Sequence, residues 1–249
     1  YDAGCVVFGQ PEGLLPNLRV LMQALRYAST FDFSVWLRPQ EISLTGDGVA
    51  HDGEVATRLG LLTVPVCAET IAISNIILLT KEIGVKVHLC RVSSAEGLAM
   101  IRAAKQQGLP ITCDVTINHL HLSDMDIGFF DSNCHLMPPL RSSGDRDALR
   151  QGLVDGTVDA ICSDHAPVDE DAKLLPFGQS EIGATGVELL LPLTLKWAAE
   201  MRLSLSKAVA KMTSDPARIL GIEAGHLSIG SAADICIFDP DHYWKVTPM

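Results

Sequence analysis

Long apolar runs and positive charge are both scarce in this sequence. The longest apolar stretch, residues 71–79, is interrupted by Ser74 and Asn75 and falls short of the roughly 18 residues that a membrane-spanning helix needs. Lysine and arginine number 19 against 30 acidic residues, which gives a formal net charge of −11. An acidic surface repels nucleic acid and anionic membranes, so the expected partners are small molecules or another protein.

Cysteine pairs with short spacing are also missing. The seven cysteines are an odd number, and several lie in apolar runs such as VHLC and AICSD, where cysteine behaves as a small buried hydrophobic residue. We therefore predict reduced cysteines in a cytoplasmic protein, with neither a disulfide framework nor a cysteine zinc site. No targeting segment is predicted at the start of the chain, and a fragment of a longer protein is one interpretation.

Several functional motifs and sequence patterns are absent as well. The sequence has no glycine-rich phosphate loop and no Ser/His/Asp arrangement in a matching context, which argues against nucleotide binding and acyl-enzyme chemistry. It contains no internal repeat and no low-complexity tract. With 249 residues and 47% hydrophobic content, the chain suffices for one large domain or two small ones.

Short β-rich apolar runs alternate with longer segments of helical period, which predicts parallel strands joined by helices. Asn17 is predicted to cap a helix through Tyr27, and Ser94 to open one that runs to Gln107, with Gly108 as its stop. The predicted strands are CVVFG (5–9), VWLR (35–38), VKVHLC (85–90), ITCDVT (111–116) and DAICSD (159–164).

Polar residues gather where these strands end, and ligand chemistry in parallel α/β folds lies at that end of the sheet. The residues are Arg38, Arg91, Asp164 and His165. The apolar stripe at 189–201 is interpreted as core or interface.

The last part of the chain changes character. Asp215 and Pro216 open a short predicted helix, and GHLSIGSAADICIFDP (225–240) predicts two strands around a Gly-Ser turn. We therefore divide the chain into a barrel-like part, residues 1–220, and a C-terminal β segment, residues 221–249.

Four segments together resemble the dihydroorotases of the class I type, which belong to the amidohydrolase superfamily. They are residues 58–74, 103–124, 137–167 and 215–240, and the most specific is DGTVDAICSDHAP, followed by FG and VELLLPL. The resemblance implies a TIM (β/α)₈ barrel, present here from about the fourth strand onward, with part of a small β-sandwich domain. Family members also carry preceding strands with a His-x-His metal pair, and five strands cannot close an eight-stranded barrel.

Active members of this family use zinc to polarise a cyclic amide and activate water, and the resemblance places most ligand positions on unsuitable residues. Gln10 lies near the position of the family's bridging acid, although Glu12 would supply the carboxylate if the loop were shifted. Arg38 and Arg91 replace two ligand histidines. Arginine has no lone pair to donate and repels a cation, so no metal is expected, with zinc as the alternative.

The rest of the family's site is partly retained. Asp164, the family's general base, and His165 are present, whereas Met137 and Val168 replace substrate-binding residues. Without zinc, a helix cap or a salt bridge is the favoured role for Asp164. We predict that Arg38 or Arg91 lies within about 4 Å of it.

Three further histidines are candidate metal ligands. His88 lies inside an apolar strand and is interpreted as a buried histidine satisfied by its neighbours. His119 and His121 form an H-x-H pair, but the resemblance places them in a structural segment, and a metal role is disfavoured.

Two functional hypotheses follow from the resemblance. The first is a non-catalytic dihydroorotase-like protein of pyrimidine biosynthesis, expected to be oligomeric and to assemble with aspartate carbamoyltransferase. The second is an active zinc-dependent dihydroorotase, or an enzyme acting on another cyclic amide, with metal held by N-terminal histidines and Asp164.

Overall fold

The computed structural model describes residues 4–10 and 17–246. The strands in this part of the chain are β1 (Phe8–Gly9), β2 (Ser34–Leu37), β3 (Ala50–His51), β4 (Thr63–Val64), β5 (Lys86–Leu89), β6 (Ile111–Thr116) and β7 (Ala160–Cys162). The helices are α1 (Leu18–Thr30), α2 (Ile42–Thr45), α3 (Glu54–Leu59), α4 (Cys67–Ile83), α5 (Ala95–Gln106), α6 (Ser143–Asp155), α7 (Glu170–Lys173), α8 (Leu190–Glu200), α9 (Leu205–Ala210) and α10 (Ser214–Leu220).

The main sheet is parallel and runs β1-β2-β5-β6-β7, so its strands lie side by side in the order in which the chain makes them. Each of the five predicted strand segments overlaps one of these strands. Parallel neighbours require a crossover, and α1, α4, α5 and α6 lie in the connections between them. The carboxyl ends of all five strands therefore meet at one edge of the sheet.

The small parallel ladder of β3 with β4 was not predicted. Each strand has two residues, too short for a hydrophobic period to be recognised. The ladder lies in the long connection between β2 and β5, beside the carboxyl ends of the main strands.

Two helices, α1 and α5, begin where a side chain caps the first turn. The Asn17 side chain accepts a hydrogen bond from the backbone N–H of Arg19 at 2.8 Å, which caps α1 as predicted. This helix continues to Thr30 rather than ending at Tyr27, because Ala28 extends its buried face by another position. Ser94 caps α5 by accepting from Gly97 N–H at 3.0 Å, again as predicted.

The main core lies between the sheet and its helices. Leu37 and Leu89 from the strands pack with helical residues such as Ile73 and Ile101, and all are almost fully buried. Trp197 of α8 is fully buried in the same cluster, so the apolar stripe at 189–201 contributes to the core. No helix within residues 17–246 combines the length and the apolar character that crossing a bilayer requires.

The two strands predicted within residues 225–240 do not form in the described residues, which contain no strand after β7. A strand is stable only when a neighbouring strand satisfies its backbone groups and covers its apolar face. Ile229 and Ile237, two apolar residues of the predicted pair, are fully or almost fully exposed. The alternating pattern predicted β structure, but a packing partner is needed to realise it.

Candidate functional site

A cavity of about 410 Å³ opens at the carboxyl ends of the strands, where the connecting loops begin. Its lining includes three of the four polar residues that the sequence placed at strand ends, Arg38, Arg91 and Asp164. The remaining lining residues are Gln40, Ile42, Thr45, Gly46, Leu136, Met137, Ala166, Ile182 and Gly183. The polar side chains therefore lie together at the carboxyl ends of the parallel strands.

An ion pair spans the cavity floor between the ends of β5 and β7. Arg91 Nη1 donates to Asp164 Oδ1 at 2.9 Å, and the two side chains are 21% and 14% exposed. The predicted salt bridge between Asp164 and one of the two arginines is thus confirmed, and Arg91 is the arginine that forms it. A carboxylate without a counter-charge in this partly buried position would be costly.

A buried carboxylate on β6 holds Arg91 in place. Asp114 Oδ1 accepts a hydrogen bond from the backbone N–H of Arg91 at 2.7 Å. The other oxygen, Oδ2, lies 2.9 Å from His88 Nε2, and His88 Nδ1 lies 2.8 Å from Thr112 Oγ1. His88 is 1% exposed with both ring nitrogens bonded, which confirms its interpretation as a satisfied buried histidine.

The backbone at both ends of the ion pair is in the left-handed region. Arg91 has φ of 58° and Asp164 has φ of 46°. A non-glycine residue in this region costs on the order of 1–3 kcal/mol and persists only where its surroundings enforce it. Such strain is typical of functional sites and ligand clamps.

The other residues predicted for the site are distributed around it. Met137 lines the cavity, and Gln40 Nε2 lies 3.5 Å from its sulfur. Gln10 donates its backbone N–H to Trp36 at 2.9 Å, which continues the β1 ladder. Val168 lies against Gly183 at the cavity edge. Glu12 lies outside the described residues.

His165 and the H-x-H pair make hydrogen bonds to backbone groups of other segments. His165 Nδ1 accepts from the backbone N–H groups of Gly186 and Val187. His119 Nε2 lies 3.2 Å from the carbonyl of Pro139, and His121 Nε2 lies 2.9 Å from that of Leu193. Burial lowers the pKa of both His119 and His121. These two imidazoles act as donors to separate loops and helices.

Sequence reasoning missed a buried polar network beneath the cavity. Glu69 of α4 is 3% exposed and accepts hydrogen bonds from the backbone and hydroxyl groups of Ser93 and Ser94, which follow Arg91 in the chain. Arg141 donates to Ser93 Oγ at 3.2 Å and to the Val64 carbonyl at 2.8 Å. A charged residue within an apolar strand or helix, as at Asp114 and Glu69, was the available signal.

Comparisons with known proteins place the chain in a family. A model described as "Amidohydrolase family" matches residues 64–248, more than half of the chain. The chain belongs to the amidohydrolase family. A second model, described as "Dihydro-orotase-like", matches residues 2–97 of this amidohydrolase-family chain.

Curated relatives connect this chain of the amidohydrolase family with dihydroorotases. A dihydroorotase-like protein of Pseudomonas putida is 43% identical over 96% of this chain and 56% of its own length. One from Pseudomonas aeruginosa is 41% identical with the same coverage, and a dihydroorotase of Geobacter sp. (strain M21) is 36% identical over 98% of this chain and 58% of its own. The chain therefore spans little more than half the length of these relatives.

Solved structures confirm the predicted fold class. L-hydantoinase from Arthrobacter aurescens superposes with a TM-score of 0.81 at 24% identity, covering 93% of this chain and 55% of its own. Dihydroorotase from Saccharomyces cerevisiae, in complex with 5-fluoroorotic acid, gives a TM-score of 0.68 at 16% identity, covering 85% and 56%. At these identities the likeness establishes the fold, which is part of a TIM barrel of the amidohydrolase type.

Amidohydrolases usually hold zinc, and the two arginines that line this cavity do not fit that ion. Arg38 and Arg91, where the resemblance to dihydroorotases expects ligand histidines, have no lone pair to offer, and Asp164 is paired with Arg91. One group of potential donors lies deeper, where ligand atoms of His88, Cys90 and Asp114 are within 4.8 Å of one another. Within that group His88 Nε2 and Asp114 Oδ2 are already bonded to each other at 2.9 Å, and burial, aided by the charge of Asp114, raises the pKa of the Cys90 thiol to about 12.

Proposed function

We propose that this chain is part of a non-catalytic dihydroorotase-like protein of de novo pyrimidine biosynthesis. The observation that carries the proposal is the Arg91–Asp164 ion pair, which joins two family metal-site positions at 2.9 Å. In an active amidohydrolase, zinc polarises the amide carbonyl and lowers the pKa of a bound water. Here a guanidinium holds the carboxylate that would act as the general base.

The electrostatics of the cavity support a metal-free protein. Arg38 and Arg91 both line it, and their fixed positive charges repel a divalent cation. The loss extends to the substrate positions, where the family's asparagine is Met137 and a further polar contact is Val168. Metal and substrate contacts have been replaced together, as expected when selection for turnover is lost.

Zinc content and turnover of the full-length protein test this proposal. We expect zinc well below one ion per chain and no hydrolysis of dihydroorotate or cyclisation of carbamoyl aspartate above background. The Geobacter dihydroorotase, prepared in parallel, serves as the active control. Zinc near one ion per chain with turnover on the order of 1 per second or more would overturn the proposal.

We further propose that the protein acts as an oligomeric scaffold for aspartate carbamoyltransferase in the cytoplasm. A protein that keeps the fold but not the catalytic residues is most simply explained by a surface that still binds a partner protein. The identity of 43% and 41% to two proteins named dihydroorotase-like, against 36% to the Geobacter enzyme, supports a grouping with the former.

Assembly is tested with aspartate carbamoyltransferase from the same organism. We expect the two proteins to co-purify and to form one joint particle in light scattering. Independent elution at micromolar concentrations would remove the named partner while leaving the absence of catalysis untouched.

One observation favours the alternative of an active zinc-dependent cyclic amidohydrolase. Asp164 is retained and lines a cavity large enough for a small cyclic amide. In that case metal would be held by Asp164 together with histidines from the remaining part of the protein. The zinc measurement above separates the two functions.

A further inference from the structure

The loops that follow β6 and β7 expose a group of large apolar side chains. Phe129 is 91% exposed and Leu174 is 82% exposed, and their neighbours Phe130 and Leu175 are exposed as well. We call these four residues the apolar patch. None of the four is among the described residues that line the cavity at the strand ends. Where soluble proteins leave such side chains together in water, the surface commonly contacts another macromolecule.

Hydrogen bonds beside the apolar patch hold the two loops together. Ser132 Oγ donates to the Lys173 carbonyl at 2.5 Å, and Lys173 Nζ donates to the Ser132 carbonyl at 3.0 Å. Lys173 Nζ also donates to the Glu181 carbonyl at 2.7 Å, which ties down the later part of the second loop. All four residues of the patch lie within three positions of Ser132 or Lys173 in the sequence. The patch is therefore one surface to which two loops contribute.

The turn that carries the two phenylalanines is ordered before any contact is made. Its backbone is closed by a hydrogen bond from the Asp131 N–H to the Ile127 carbonyl at 2.9 Å. Ile127 and Cys134, on either side of the turn, are buried in a second apolar cluster. Phe130 has φ of 60°, a left-handed conformation that bulky residues rarely adopt and that is typical of functional sites. A surface ordered in advance loses less conformational entropy on binding.

The same two loops carry most of the chain's negative charge. Residues 121–140 and 165–190 contain eight acidic residues and one lysine, which is a net charge of −7 out of the chain's −11. Seven of the eight acidic residues are exposed, namely Asp126, Asp131, Asp169, Glu170, Asp171, Glu181 and Glu188. Such a surface repels nucleic acid, anionic lipid and the same face of a second copy of this chain, and it attracts a cationic partner.

We propose that the apolar patch binds a partner protein through a face on which apolar side chains are flanked by lysine and arginine. The four side chains of the patch pack against the apolar residues of the partner, and the exposed carboxylates around the patch pair with its cations. Aromatic residues at the centre of a contact and charges at its rim are the usual composition of such interfaces. The proposal goes beyond the proposed function, because the surface depends neither on the absence of catalysis nor on a particular partner.

Titration of the full-length protein with three synthetic peptides, followed by fluorescence anisotropy, tests the proposal. The first is a helical peptide of about 14 residues in which leucine forms one face and lysine the other. The second has serine in place of leucine, and the third has glutamate in place of lysine. We expect the leucine–lysine peptide to bind saturably with a Kd on the order of 10 μM or tighter, and the other two to bind at least about tenfold more weakly. Equal binding of the serine–lysine peptide, or no binding of the leucine–lysine peptide, would overturn the proposal.

Substitutions in the apolar patch locate the binding. Phe129→Ser combined with Leu174→Ser should weaken binding of the leucine–lysine peptide at least about tenfold, because it removes the two most exposed apolar side chains of the patch. Leu227→Ser is the matched control, since this leucine is 78% exposed and lies outside the patch, and it should leave the affinity unchanged. Unchanged affinity in the double variant would contradict the proposal.

Substitutions of the acidic residues test the charge requirement. Asp169→Asn, Glu170→Gln and Asp171→Asn together should weaken peptide binding several-fold, because they remove three exposed charges next to the patch. The control replaces the three exposed aspartates within residues 234–241 with asparagine, which removes the same charge elsewhere and should have a smaller effect. Equal effects would show that net charge alone attracts the peptide and would contradict the proposal.

Light scattering and thermal unfolding of the same samples identify other occupants of the patch. A dimer of the full-length protein that the double variant dissociates would assign the patch to a second copy. A lowered thermal midpoint in the double variant, without peptide binding to the original protein, would show that the rest of the protein covers the patch. Either result would overturn the proposal. Peptide binding without assembly with aspartate carbamoyltransferase would support the surface and remove only the proposed scaffold partner.

Discussion

At the residue scale, Arg91 is held by two carboxylates that lie far from it in the sequence. Its backbone donates to Asp114 on the neighbouring strand, and its guanidinium donates to Asp164 two strands away. Arg38 also lines the cavity, but Arg91 forms the salt bridge with Asp164. The Asp114 carboxylate holds the backbone of Arg91 in the conformation from which its side chain reaches Asp164.

Replacing Arg91 with alanine should lower the free energy of unfolding by about 1–3 kcal/mol, because the Asp164 charge then lacks its partner in a partly buried position. Urea denaturation of the full-length protein measures this. Arg218→Ala is the control, since Arg218 is 74% exposed in its pair with Asp215 and should cost less than about 1 kcal/mol.

A double-mutant cycle isolates the pair itself. Asp164→Asn is the better second substitution because asparagine tolerates the left-handed φ of 46° at this position. We expect a coupling energy of about 1 kcal/mol or more between Arg91 and Asp164. Additive single effects would mean that the observed contact contributes nothing to stability.

At the scale of elements, the loop after β7 is held close to the strand by a glycine. A Cβ built on Gly186 would lie 2.2 Å from the backbone oxygen of Ser163. The Gly186 N–H also donates to His165 at 3.2 Å. The close approach brings the loop that contains Ile182 and Gly183 against the cavity.

Gly186→Ala should therefore destabilise the protein by about 1–3 kcal/mol, since the backbone must shift to admit the methyl group. The matched control is Gly144→Ala in α6, where a Cβ would meet nothing nearer than Ser142 Oγ at 3.7 Å. That substitution should be neutral or stabilise by up to about 1 kcal/mol through helix propensity. Thermal unfolding of both variants checks the contrast, and equal midpoints would contradict it.

At the scale of the whole molecule, four histidines share one electrostatic consequence of burial. Desolvation is the largest cause that lowers the pKa of His51, His119, His121 and His135 below the ordinary 6.5. The folded protein therefore binds fewer protons than the unfolded chain just below pH 6.5. The stability that these groups contribute is present above pH 6.5 and is lost as pH falls through their folded pKa values.

The free energy of unfolding should consequently fall between pH 7 and pH 5.5, because the unfolded chain binds protons at these histidines that the folded chain does not. Urea denaturation at several pH values measures the slope. His119→Gln should reduce the slope, because it removes one of these four groups. A flat profile over this range would be inconsistent with neutral buried imidazoles.

Local pattern was sufficient for much of the fold. All five main strands were predicted from short apolar runs, and Asn17 and Ser94 were recognised as helix caps. These features depend on neighbours within a few residues, so sequence contains the information. The β3–β4 ladder was missed because two-residue strands have no period.

The site was predictable in part for a different reason. Parallel strands bring their carboxyl ends to one edge, so Arg38, Arg91 and Asp164 were expected together, and they line one cavity. Glu69, Arg141 and Asp114 were missed as supporting residues, because their partners lie far away in sequence.

The sequence by itself determined which chemical groups stand at the strand ends, since covalent identity and strand order are local properties. Only the tertiary structure decided that Arg91 forms the ion pair with Asp164, because that depends on a buried carboxylate at Asp114 and a strained backbone. The same distinction applies to residues 225–240, whose sequence predicts two strands although these described residues form none. A strand needs its partner's hydrogen bonds, and those come only from packing.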